Sequence, residues 1–220
     1  MKLYGFGDPG AKTVLIQPVG DHDLSGIEKE ASLIAEECGS FFHLTAIGVG
    51  DWNSDLSPWR SPAVFGGKDF GGRAEETLGE VLKLCAEKDR TYYIGGYSLA
   101  GLFSLWAAYQ TDVFSGVAAA SPSVWFPGFS DYMKEHAIRT EAVYLSLGDR
   151  EEKARDPVLA TVGIRIREAY DLLSGRGVNC TLVWNEGNHF RDADLRTARA
   201  FAWVLRAQAG QKAAFTGNRC

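Results

Sequence analysis

Stretches that are apolar throughout alternate along this chain with stretches whose apolar residues recur every third or fourth position. The first kind comprises TVLIQPV (13–19), FFHLTAIGV (41–49), TYYIGG (91–96), SGVAAAS (115–121), AVYLSLG (142–148) and CTLVWN (180–185). A short run that is apolar on both sides of an extended backbone fits a strand buried on both faces. The second kind includes 27–38, with Ile27, Ala31, Ile34, Ala35 and Cys38 on one helical face. It includes 73–88, with Ala74, Leu78, Val81, Leu82 and Cys85, and a segment near 156–174 with Leu159, Val162, Ile166, Tyr170 and Leu173. Helices are also expected over 99–110 and from about 192 to 208. Strands buried on both faces that alternate with helices imply a mostly parallel central sheet with helices on both sides, an α/β three-layer sandwich. The spacing Ser25-x-x-Glu28 predicts a capping box at the start of the first helix.

The chain of 220 residues fits one domain, expected over 1–210, with 211–220 expected as a flexible tail. Its formal charge of −5 argues against a nucleic-acid partner and against an anionic membrane surface. No apolar run is long enough to span a bilayer, and the amino terminus MKLYGFGDPG lacks the pattern of a secretion signal. Cys38, Cys85, Cys180 and Cys220 are widely spaced, without a C-x-x-C pair. That favours small core residues in a reducing compartment over disulfides or a zinc ribbon. A cytoplasmic protein without cofactor or catalytic metal is expected.

Residues 50–72, GDWNSDLSPWRSPAVFGGKDFGG, show no period. A loop of this length inside a compact domain is usually functional or disordered, and its Trp52, Trp59, Phe65 and Phe70 argue against disorder.

The stretch GGYSLAG (95–101) ends one strand and opens a helix. A strand–turn–helix elbow holds its central serine, here Ser98, in a strained conformation at the carboxyl edge of the sheet. Small residues must flank it because strand and helix approach closely; Gly96, Ala100 and Gly101 stand there, with alanine in place of the last glycine of G-x-S-x-G. The helix start supplies free N–H groups for a developing oxyanion. A serine hydroxyl also needs a base. Strand packing accounts for His43, surface exposure for His136, and a loop role next to a helix start for His22 within DHD (21–23), although that trio contains metal-ligating residue types. His189, in EGNHF just past the last strand, lies where sites assemble in open α/β sheets. The acid is sought after the intervening strand, in GDREEK. Glu151 is favoured because a short turn can aim its long side chain back at the histidine, with Asp149 as the alternative. The backbone N–H of Leu99, and that of Val19 or Gly20, are the expected oxyanion donors.

With these residues placed, the chain resembles the branch of the α/β-hydrolases that holds siderophore (enterochelin) esterases, S-formylglutathione hydrolases and feruloyl esterases. The resemblance rests on GGYSLAGLFSLWAAYQ, SGVAAASPSVW, YLSLGDREE, EGNHF and DWNSDLSPW. It implies a serine hydrolase of carboxylic esters that works through an acyl-enzyme on a small-molecule ester. Acyl transfer, thioester cleavage and an inactive binding protein on the same fold are the alternatives. Trp52, Trp59, Trp125 and Phe126 are the expected lining of the substrate pocket, unless they are core residues.

Overall fold

The computed structural model describes residues 1–64 and 66–217, the side chains of 208–217 excepted. Its strands are β1 (Lys2–Gly7), β2 (Thr13–Val19), β3 (Phe42–Gly48), β4 (Arg60–Ser61), β5 (Phe70–Gly71), β6 (Thr91–Tyr97), β7 (Phe114–Ala120), β8 (Ala142–Gly148) and β9 (Asn179–Asn185). Its α-helices are α1 (Leu24–Cys38), α2 (Trp52–Asp55), α3 (Ala74–Leu84), α4 (Leu99–Gln110), α5 (Phe129–Glu135), α6 (Val162–Gly175) and α7 (Ala193–Gly217). The expected tail at 211–220 falls on residues whose side chains, or whose whole placement, lie outside the described set.

Seven strands form one sheet in the order β1-β3-β2-β6-β7-β8-β9, parallel except where β1 runs antiparallel to β3. β2 pairs with β3 on one side and β6 on the other. The chain order therefore reverses direction across the sheet at β2, and crevices at such points hold the sites of open α/β sheets. Helices α1 and α7 cover one face, where Ile27, Ile34 and Phe201 pack on Leu15, Leu44 and Tyr93. Helices α3 to α6 cover the other, around Ile16, Ile94, Phe103 and Val143. This is the expected three-layer sandwich.

Two local differences from the sequence reading have physical reasons. Strand β1 was not anticipated, because KLYGFG carries two glycines and only Tyr4 and Phe6 turn a half-buried face inward. The capping box does not form: α1 already starts at Leu24, so Ser25 lies inside the helix, and the N-cap residue Asp23 makes no side-chain cap bond. The Asp23 carboxylate instead accepts from Gly20 N–H at 2.9 Å. Helix α4 is buried on every side except at Gln110. A helix at the centre of the molecule has no wet face to pattern.

The described residues of the aperiodic 50–72 segment form a folded unit. Asp51 caps α2 by accepting from Ser54 N–H, β4 pairs with β5, and Ser57 Oγ accepts from Gly72 N–H. Among the described residues, no helix is long and apolar enough to cross a membrane.

Candidate active site

The chain leaves β6 at Tyr97 and enters α4 at Leu99, with Ser98 as the whole connection. Ser98 has φ 58° and ψ −120°. A non-glycine residue there stores strain of about 1–3 kcal/mol, held only because its surroundings over-determine it. The determinants are visible. Ser98 N–H donates to Ala120 O at 3.1 Å, and its carbonyl accepts from the N–H groups of Leu102 and Ser123, each at 3.1 Å. A methyl group on Gly96 would lie 2.6 Å from Ala100 Cβ, and one on Gly101 would lie 3.0 Å from Gly96 O. The missing side chain at Gly96 thus makes the room that Ala100 occupies, which is why alanine fits in the last position of the motif.

Ser98 Oγ lies 2.9 Å from His189 Nε2, and His189 Nδ1 lies 2.6 Å from Glu151 Oε2. Three strand ends contribute: Ser98 follows β6, Glu151 lies in a 3-10 turn after β8, and His189 follows β9. Glu151 is 7% exposed. Its other oxygen, Oε1, accepts from Gly148 N–H at 2.7 Å, Ser121 O–H at 2.8 Å and Arg196 Nη1–H at 3.1 Å. Asp149 points elsewhere: its Oδ1 accepts from Gly187 N–H at 2.8 Å, which ties the β8 and β9 loops together. His22, His43 and His136 stay apart from this group. His22 sits edge-on to Trp52, His43 lies in β3 with burial lowering its pKa, and His136 stacks on Tyr132.

Several partners of this group carry no motif of their own in the sequence. The Tyr97 ring lies 5.1 Å from that of His189, and its hydroxyl donates to His189 O at 2.9 Å. Burial pushes the Tyr97 hydroxyl up to about 12, so it remains a donor at neutral pH. Ser123 Oγ lies 3.4 Å from Ser98 Oγ. Ser121, at φ 41°, is also held in the left-handed region. Arg196 had a legible signal: it falls four and eight residues before Ala200 and Val204, on the buried stripe of α7.

The expected oxyanion donors differ in setting. Leu99 opens α4, where the first N–H groups have no partner within the helix. Val19 ends β2 opposite Gly48 in the ladder, and its carbonyl accepts from Val49 N–H. Gly20 N–H is already engaged by the Asp23 carboxylate.

The aromatic candidates divide. Phe126 is 2% exposed and belongs to the core. It is held there by Trp59 and Phe70, with ring centroids 5.6 and 5.1 Å away. Trp59 donates from Nε1 to Pro127 O at 2.9 Å and fastens the 50–72 segment to the start of α5. Trp52 and Trp125 are half-buried. A cavity of about 540 Å³ opens within the 50–72 segment beside Arg60, Asp69 and Arg73, and neither Ser98 nor His189 lines it.

Among the described residues, no three His, Cys, Asp or Glu side chains gather as a metal-holding group. Burial pushes the Cys85 thiol up to about 12, which leaves it protonated at neutral pH.

Neither a protein-family model nor any curated protein matches the sequence. Solved structures do match in fold. An IroE-like serine hydrolase from Shewanella oneidensis superposes with a TM-score of 0.73 at 14% identity, over 91% of this chain and 74% of that one. The siderophore hydrolase EstA from Aspergillus nidulans gives 0.65 at 20% identity, over 91% and 85%. A Bacillus cereus carboxylesterase gives 0.60 at 17% identity, over 94% of both chains. The chain has the fold that these proteins share.

Proposed function

We propose that this α/β-hydrolase-fold chain is a serine hydrolase of carboxylic esters. The observation that carries the reading is the continuous chain of contacts from Ser98 Oγ through His189 to Glu151, at 2.9 and 2.6 Å. The names of the neighbours, a serine hydrolase, a siderophore hydrolase and a carboxylesterase, agree with it.

In this reading Ser98 Oγ attacks the ester carbonyl carbon while His189 Nε2 accepts the hydroxyl proton. Glu151 holds the proton on His189 Nδ1, which leaves the Nε2 lone pair facing the serine. The carbonyl oxygen takes the negative charge beside Leu99 N–H, at the positive end of α4. A second donor from Gly20 requires that its N–H leave Asp23. Collapse of the intermediate expels the alcohol, which takes the proton from His189, and leaves an acyl group on Ser98. Water, deprotonated by His189, then releases the acid and restores the serine.

The test is intact mass after incubation with a fluorophosphonate. One stoichiometric adduct is expected on the wild type and none on Ser98→Ala. A folded wild type that takes up no adduct overturns the reading. Product analysis with competing alcohols and thiols then separates hydrolysis from acyl transfer.

A further inference from the structure

We propose that Arg196 is a positioning residue that holds the Glu151 carboxylate in the orientation that faces His189. The inference rests on the reading of Ser98, His189 and Glu151 as a hydrolytic triad. The side chains of Arg196 and Glu151 are only 2% and 4% exposed. A guanidinium is taken out of water at high cost unless its charge is paired and its N–H groups are met. Here Nη1 reaches Glu151 Oε1 and Tyr97 Oη, at 3.1 and 3.0 Å, and Nη2 donates to Glu186 O at 3.0 Å. Tyr97 in turn donates to His189 O. One rigid fork therefore ties the acid, the start of the loop that bears the histidine and, through Tyr97, the histidine's own backbone.

The consequence is geometric. A glutamate has one more side-chain torsion than an aspartate, so its carboxylate has more ways to turn away. With Gly148 N–H, Ser121 O–H and Arg196 all on Oε1, only Oε2 is left for His189 Nδ1–H. The planar fork of arginine sets that orientation in a way a point charge does not. The positive charge itself works against the imidazolium that forms when His189 accepts the serine proton. The guanidinium therefore acts by orientation, and a lysine in its place should not suffice.

The experiment is a double-mutant cycle on Arg196 and Glu151. It reads the rate of fluorophosphonate labelling, and kcat and KM for a simple p-nitrophenyl ester. Arg196→Met and Arg196→Lys are each expected to lower kcat and the labelling rate by roughly tenfold to a hundredfold, as when a residue that orients a catalytic group is lost. KM should change little. In a Glu151→Gln background neither substitution should lower the rates further, because Arg196 acts through the carboxylate already removed. Near-ultraviolet circular dichroism establishes which variants fold; should Arg196→Met fail to do so, Arg196→Lys carries the test. A folded variant that labels at the wild-type rate overturns the proposal, as does an equal loss with and without Glu151. If the wild type itself takes up no adduct, the triad reading fails first and this proposal falls with it.

Discussion

Two carboxylates stand near the end of β8, and their surroundings give them different partners. Glu151 Oε2 faces His189 Nδ1, whereas Asp149 accepts from Gly187 N–H. In Glu151→Gln, the three donors at Oε1 will hold the amide oxygen, so the NH₂ group must face His189. That forces the imidazole proton onto Nε2, where it blocks the serine. The expected loss in kcat is on the order of 10³–10⁴, the penalty of the wrong tautomer in a serine triad. Asp149→Ala should keep kcat within a few-fold and cost about 1 kcal/mol of stability, the worth of one loop hydrogen bond. Ester turnover and chemical denaturation of the two variants check this pair of outcomes. The sequence order strand, serine, acid, histidine brought Ser98, Glu151 and His189 forward together. It left both acids open, because only the path of the turn after β8 decides where each side chain points.

At the scale of the element, the β6–Ser98–α4 elbow is a packing solution between two backbones. Gly96 gives up its side chain and Ala100 uses the space. Ala100→Gly restores the more usual motif but returns a void and a less helical residue. It should lower stability by about 1 kcal/mol while leaving ester turnover near wild type. Thermal melts and kinetics measure the two effects separately. The elbow was legible because glycine, serine and small residues at fixed offsets have few other uses. The folded 50–72 segment was not, since its order comes from a short helix, a two-residue strand pair and side-chain contacts that leave no period. Nor was the fate of Phe126, which Trp59 and Phe70 convert from a loop aromatic into a core residue.

For the whole molecule, a costly feature outside the site is Glu30 of α1. It is 3% exposed, and its Oε2 meets Gln17 Nε2 of β2 at 3.3 Å. The Oε1 atoms of both residues lack partners. Burial raises the Glu30 pKa well above 4.5, against the smaller pull of Gln17, and nearby Asp23 and Asp194 push it the same way as burial. The folded state therefore holds this proton more tightly than the unfolded chain does. Above the ordinary carboxylate range the unfolded chain loses its proton first, so stability falls as pH rises towards the folded pKa. Glu30→Gln removes that linkage and should raise the melting temperature, more at pH 8 than at pH 5. An equal effect at both values would mean that Glu30 is ionised in the folded protein.

The sequence by itself determined the layers. Runs apolar on both sides must be covered on both faces, and helices with one apolar stripe must supply the cover, so a mostly parallel sandwich follows from burial alone. It also pointed to particular strand ends, because a serine among glycines and a histidine in a polar loop sit just past them. The tertiary structure decided the rest. It set Glu151 rather than Asp149 against His189, engaged Gly20 N–H with Asp23, and brought Arg196 from the far end of the chain onto Glu151. Such choices depend on distances of a few ångströms between residues far apart in sequence. Periodicity records only which face of an element a residue occupies, and not what meets it there.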